Sequence, residues 1–192
     1  MANSPTPDTN GQSLTRIQVL SAMIVTALIL AAIARIWMAF APGVLFPVQL
    51  NGLNGLLGIT LGLIITAMSG IIYRLWPLYR KSADEYLELV LRPLVWPDLI
   101  WLGLLPGLSE ELLFRGVVLP AFGVGVGGIF ISSVCFGAMH YSGSKHWPYI
   151  IWATIIGAVL GSAAVITGSL LVPVVAHITT NVVSSCMWKL KH

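Results

Sequence analysis

The chain has 192 residues, of which 57% are apolar and 9% are charged, and its formal net charge is +3. Soluble domains carry about 25% charged residues, and the mean hydropathy here is +0.89, so a water-soluble globular protein is excluded. We expect an all-α, multi-pass transmembrane helical bundle, because helices satisfy their own backbone hydrogen bonds in lipid. Most basic residues flank apolar stretches, where lipid headgroups explain them, so the lipid bilayer is the expected partner and a nucleic acid is not.

Apolar runs predict about six membrane spans. They lie at residues 17–40, 53–73, 99–119, 126–141, 147–166 and 170–190. The third run is the least apolar, because it contains three charged side chains and a Pro106-Gly107 pair that could break or kink the helix. We divide the chain into a disordered polar tail at residues 1–15, an N-terminal two-span region at residues 16–95 and a helical core at residues 96–192.

The segment between the second and third spans predicts a short amphipathic helix on the membrane surface. Ser82 with Glu85 three residues later is typical of a capping box. Leu87 and Leu91 then share an apolar face, and Pro93 is expected to end the helix. A plain polar loop is the alternative.

The distribution of basic residues predicts the orientation of the spans. If the N-terminus is cytoplasmic, the loops at residues 42–52, 121–125 and 167–169 all face outward, and none contains Lys or Arg. Positive charge is normally retained on the cytoplasmic side. We therefore expect both termini to be cytoplasmic, in a bacterial inner membrane or an organellar membrane.

The ionisable residues inside the predicted spans are the functional candidates. Glu111 and Arg115 are four residues apart and can form an ion pair on one helix face. Glu110 is rotated about 100° from Glu111, so its desolvated carboxyl group must face elsewhere and could act as a base. His177 and Asn181 are also four apart, and together they could donate hydrogen bonds to an oxyanion.

Three motifs occur in order on three separate predicted spans. "EELLFR" fits EExxxR, "FGAMH" fits FxxxH and "HITTN" fits HxxxN. This set resembles the CAAX protease and bacteriocin-processing family of intramembrane endopeptidases, called CPBP or Abi. The resemblance covers residues 96–189, about half of the chain.

The resemblance implies a reaction and a role for each motif residue. Glu110 and His140 would activate a water molecule for peptide-bond hydrolysis. His177 and Asn181 would form the oxyanion hole, and Glu111 with Arg115 would support the site. The substrate would be a membrane protein or peptide, with lipidated substrates included.

Two other classes of function stay open from the sequence. His140, His177 and Glu110 could hold zinc, or the two histidines could bind haem. However, the chain has no HExxH motif and the glutamate mechanism needs no metal, so no cofactor is expected and zinc is not favoured. The second alternative is a membrane scaffold or assembly factor of the same family that binds a partner without cutting it.

Overall fold

The structure is a computed structural model that describes residues 14–41 and 43–192. Over these residues the chain is helical and contains no β-strand. In chain order the elements are α1 (Arg16–Phe40), α2 (Gly52–Leu75), α3 (Pro77–Leu91), α4 (Asp98–Leu113), a π-helical turn (Phe114–Val118), α5 (Leu119–Ala121), α6 (Val126–Met139), a 3-10 turn (Ser144–His146), α7 (Trp147–Thr167) and α8 (Leu171–Lys189).

Four helices are long and apolar enough to cross a membrane: α1, α2, α7 with its preceding turn, and α8. They coincide with the first, second, fifth and sixth predicted spans. The fourth predicted span is a shorter apolar helix, α6, of 14 residues. Large apolar side chains on the outer helices are exposed, as with Leu28 at 65% and Leu56 at 61%, and lipid is the environment that would cover them. The chain is therefore an integral membrane protein, as predicted.

The third predicted span differs from a single regular helix. Helix α4 runs without interruption through Pro106, so the break expected at Pro106-Gly107 is absent. The irregularity comes later, at the π-helical turn Phe114–Val118, which α5 follows directly. The backbone therefore changes its hydrogen-bonding pattern just after the two glutamates.

The start of α1 is tied to the start of α4. Thr15 caps α1, with its side chain accepting a hydrogen bond from the backbone N–H of Gln18. Arg16 then donates from Nε and Nη2 to the two carboxylate oxygens of Asp98, each at 2.7 Å. Sequence analysis treated Arg16 only as a flanking charge. Residues 1–13 of the predicted disordered tail lie outside the described residues.

Helix α8 packs closely against both α2 and α4 through glycines. Gly58 and Gly62 on α2, and Gly103 and Gly107 on α4, form two pairs with a four-residue spacing that face α8. A Cβ atom added at Gly107 would lie 2.5 Å from Cγ1 of Ile178. Small residues at this spacing allow helix backbones to approach in a membrane. This packing brings Glu111 of α4 close to His177 of α8.

Helix α3 confirms that the segment after α2 is helical and corrects where that helix begins. It starts at Pro77, and Ser82 is buried in its interior, so the predicted capping box is wrong. Proline at the first helical position is favoured because its missing N–H has no partner there in any case. Tyr79 is buried on one face, while Glu88 on the exposed face accepts a hydrogen bond from Arg92 at 3.0 Å.

Candidate active site

Arg115 lies within the π-helical turn, in the interior of the protein. It donates from Nη1 to Oε1 of Glu111 at 2.7 Å, and neither side chain has any exposed surface. The four-residue spacing predicted this ion pair. The backbone carbonyl of Gly116 in the same turn accepts a hydrogen bond from the N–H of Phe46 at 2.8 Å. Turns of this kind often occur at functional sites, and this one aims a guanidinium back at the preceding helix.

Gly157 on α7 provides a second hydrogen-bond partner for the guanidinium. Its carbonyl oxygen accepts a hydrogen bond from Nη2 of Arg115 at 3.0 Å. A Cβ atom at this position would lie 3.1 Å from the same Nη2 and 3.2 Å from Cδ1 of Phe136. Glycine therefore allows α7 to approach the arginine. Sequence analysis missed this residue, because a glycine in an apolar helix carries no chemical signal of its own.

Glu111 binds a second partner that the spacing did not predict. Nδ1 of His177 lies 2.8 Å from Oε1 of Glu111, the same oxygen that Arg115 contacts. His177 is buried. A carboxylate only accepts hydrogen bonds, so with Glu111 ionised Nδ1 of His177 carries the hydrogen. Glu111 thus links the arginine of its own helix to the histidine of α8.

Phe136 on α6 lies at the centre of the site. The Arg115 guanidinium carbon is 4.3 Å from its ring centroid, in a cation–π contact. The ring centroids of His140 and His177 lie 4.9 Å and 5.8 Å from that of Phe136. Nδ1 of His140 is also 2.9 Å from the Phe136 carbonyl oxygen, which can only accept. The other ring nitrogen of His140 is therefore left with a lone pair when the ring is neutral.

Asn181 makes a contact different from the one expected. Its Nδ2 donates to the carbonyl oxygen of Leu102 on α4, at a long distance of 3.4 Å. That carbonyl would normally accept from the N–H of residue 106, but Pro106 has no N–H. Asn181 therefore satisfies an acceptor freed by the proline. The sequence carries a signal for this contact. Pro106 lies four residues after Leu102 and leaves its carbonyl without the usual donor, which an amide side chain such as that of Asn181 can replace.

Glu110 is separate from the ion pair. Within the described part of the chain, four buried side-chain atoms lack a hydrogen-bond partner, and three of them are Oε2 of Glu110, Oε2 of Glu111 and Nε of Arg115. Buried polar groups are almost always hydrogen-bonded. The unused hydrogen-bonding capacity of the protein is thus concentrated at the "EELLFR" segment.

A metal site would need several ligand side chains grouped together. Among residues 14–41 and 43–192, no set of three or more His, Cys, Asp and Glu side chains is arranged to hold one. The two cysteines in this part of the chain, Cys135 and Cys186, are free. Cys135 is exposed on α6.

Taken together, these features define a class: an integral membrane protein whose helices enclose a buried glutamate, arginine and histidine set beside a second, unpartnered glutamate. Residues 92–183 match the family described as type II CAAX prenyl endopeptidase, Rce1-like. This match confirms the CPBP resemblance expected over residues 96–189.

About half of the chain is similar in sequence to a curated bacterial protein. The chain is 34% identical over 96 residues to the uncharacterized protein YpbD of Bacillus subtilis (strain 168). The alignment covers 50% of this chain and 48% of that protein, so it spans about half the length of each. No solved structure matches the chain.

Proposed function

We propose that the protein is a glutamate-dependent intramembrane endopeptidase that hydrolyses a peptide bond in a membrane-associated polypeptide. The observation that carries the proposal is the buried and unpartnered Oε2 of Glu110. A general base needs a free lone pair, and leaving a carboxylate oxygen buried without a partner costs stability. Such a cost is accepted where the group serves a function. The family match over residues 92–183 supports the same conclusion.

In the proposed reaction Glu110 removes a proton from a water molecule. The resulting hydroxide attacks the carbonyl carbon of the scissile peptide bond. His140 helps to orient this water through its free ring nitrogen, since its Nδ1 is held by the Phe136 carbonyl. The proton taken by Glu110 is then delivered to the nitrogen of the leaving amine, so that the carbon–nitrogen bond breaks and Glu110 returns to its starting state.

The tetrahedral intermediate places a negative charge on the former carbonyl oxygen, and His177 and Asn181 would stabilise it. Nδ1 of His177 is held by Glu111 at 2.8 Å, so only Nε2 can reach the substrate. That nitrogen donates a hydrogen bond only if the imidazole ring carries both protons. Asn181 would exchange its long bond to Leu102 for one to the oxyanion.

The proposal also includes the orientation of the protein, its membrane and its class of substrate. The distribution of Lys and Arg supports cytoplasmic termini, in a bacterial inner membrane or an organellar membrane. Because the matching family is that of type II CAAX prenyl endopeptidases, prenylated CAAX polypeptides are one substrate class to test. Unlipidated membrane proteins and peptides are the other.

The test compares membrane proteomes by N- and C-terminal peptide mapping in cells that produce either the wild type or Glu110→Gln. We expect a set of new termini in the wild type that is absent from the variant. The matched control is Glu88→Gln, which changes an exposed glutamate on α3 and should keep those termini. Identical termini in the wild type and Glu110→Gln would contradict proteolysis. Rescue of a deletion phenotype by Glu110→Gln would instead indicate a scaffold.

A further inference from the structure

Two tyrosines outside the three motifs lie beside the proposed catalytic groups. Tyr86 is on the surface helix α3 and Tyr149 is near the start of α7, and their ring centroids are 4.8 Å apart. The centroid of Tyr149 is 6.0 Å from that of His140. Both residues are half-buried, so part of each is accessible.

The phenol of Tyr86 stays neutral near neutral pH. Burial is the main cause that raises its pKa to about 12, and the Glu110 charge adds to that increase. The ring of Tyr86 therefore adds an uncharged aromatic surface beside Tyr149.

Contacts on both sides hold this surface in place. Next to Tyr86, Oε2 of Glu85 lies 2.8 Å from Nε2 of His146, which joins α3 to the turn before α7. Tyr79 stacks on Tyr149 with ring centroids 6.2 Å apart and an angle of 9° between the planes. The tyrosine pair is thus a fixed part of the fold.

We propose that Tyr86 and Tyr149 form a wall of the substrate-binding site and select substrates with a large apolar side chain next to the scissile bond. The inference rests on the proposed function. Aromatic rings offer wide, flat apolar contact surfaces at low entropic cost, so the pair would bind that side chain equally in the ground state and in the transition state and would affect KM rather than kcat. The two tyrosines bind the substrate and take no part in proton transfer.

The experiment uses the purified full chain and synthetic peptides that span a mapped cleavage site, with Ala, Leu or Phe placed on either side of the scissile bond. For the Leu and Phe peptides, Tyr86→Ala and Tyr149→Ala should raise KM by about tenfold, the order expected for losing most of one apolar contact. The KM for the Ala peptide and all kcat values should change little. Tyr86→Phe and Tyr149→Phe should behave like the wild type, because the ring is retained.

Two control variants separate a local effect from a general one. Leu89→Ala on α3 and Ile155→Ala on α7 change exposed apolar side chains and should leave the preference for large residues intact. Equal changes for all three peptides, an unchanged KM, or a loss of activity in the Phe variants would overturn this inference while the proposed function stands. Failure of the wild type to cleave any peptide would overturn the proposed function, and this inference with it.

Discussion

His177 on α8 and Glu111 on α4 are joined by a 2.8 Å hydrogen bond between Nδ1 and Oε1, although they are 66 residues apart in the chain. Because Nδ1 is committed to Glu111, only Nε2 of His177 can reach a substrate. We therefore expect Glu111→Met, which removes this acceptor, to lower kcat, because the His177 ring is no longer held in its orientation. Glu111→Gln should retain more activity, since its amide oxygen can still accept a hydrogen bond from Nδ1.

Values of kcat and KM for the wild type, Glu111→Gln and Glu111→Met measure the effect. Thermal unfolding of all three proteins in detergent serves as the control for folding. Equal kcat values in the wild type and in a folded Glu111→Met would contradict the proposed role of Glu111.

The two hydrogen bonds of the Arg115 guanidinium, to Glu111 and to Gly157, predict that lysine is a poor replacement. Lysine could still pair with Glu111, but it cannot also reach the Gly157 carbonyl, which Nη2 of Arg115 contacts at 3.0 Å. We expect Arg115→Lys to lower the free energy of unfolding by ~1–3 kcal/mol, the cost of an unsatisfied buried acceptor. Arg115→Met should cost ~3–5 kcal/mol, because it leaves a buried carboxylate without its cation.

Denaturant unfolding in detergent measures both effects. The matched control is Arg92→Lys, in an ion pair of the same four-residue spacing that is exposed on α3, with side chains 73% and 59% accessible. Exposed pairs contribute little, so this change should be nearly neutral. Equal losses for Arg92→Lys and Arg115→Lys would show that burial of the pair is not what matters.

Gly157 predicts a steric effect on the site. A Cβ atom there would lie 3.1 Å from Nη2 of Arg115 and 3.2 Å from Cδ1 of Phe136, so Gly157→Ala must displace one or the other. We expect a loss of ~1–3 kcal/mol in unfolding free energy and reduced activity. Gly161→Ala, one turn further along α7, is the control, since its nearest neighbours would be 3.5 Å away. Similar behaviour of the two variants would argue against a tight fit at Gly157.

The contact between Asn181 and Leu102 allows the structural and catalytic roles of Asn181 to be separated. Asn181→Ala leaves the Leu102 carbonyl without a partner, because Pro106 cannot supply an N–H. We expect a stability loss of ~1 kcal/mol. In a Pro106→Ala background the backbone N–H returns, and the same substitution should then cost almost nothing.

A double-mutant cycle in unfolding free energy tests this coupling. Activity provides the second readout: if Asn181 is an oxyanion donor, Asn181→Ala should remain inactive in the Pro106→Ala background, although its stability is restored. Recovery of activity together with stability would assign Asn181 a structural role only. Additive stability effects would show that Asn181 does not compensate for the proline.

Asp98 predicts a pH dependence of stability. It lies at the start of α4, outside the predicted span, and the hydrogen bond from Arg16 is the main cause that lowers its pKa from 3.8 to about 2. A carboxylate with a lowered pKa in the folded state stabilises the protein above its unfolded-state pKa, and this contribution is lost as the pH falls through the folded-state value. The contribution should therefore be complete above about pH 4 and lost between about pH 4 and pH 2.

Thermal unfolding of the wild type and Asp98→Asn across this pH range checks the prediction. The two melting temperatures should converge as the pH falls from about 4 to about 2. Arg16→Gln should remove most of the difference between them, because it removes the partner. A constant difference across the range would contradict a role for the ionised carboxylate.

The fold class and part of the candidate site could be predicted from the sequence alone. The apolar runs predicted an integral membrane helical protein, because a chain with so few charged residues cannot bury enough of its apolar surface to be soluble in water. Helical periodicity predicted the Glu111–Arg115 ion pair and left Glu110 on a different face. The ordered motifs indicated the family. All of these inferences depend on local spacing or composition, which are written directly in the chain.

The tertiary structure decided which distant groups meet. The bond between Glu111 and His177, the Gly157 carbonyl on Arg115, the partner of Leu102 and the tyrosine pair beside His140 each join residues on different helices. Spacing along one helix carries no information about which residue of another helix faces it. Those contacts depend on how closely the helices pack, and here glycines on α2, α4 and α7 set that distance. The sequence could nominate Glu110 as the proposed base, but only the packing of α4, α6, α7 and α8 determined which groups surround Glu111 and Arg115.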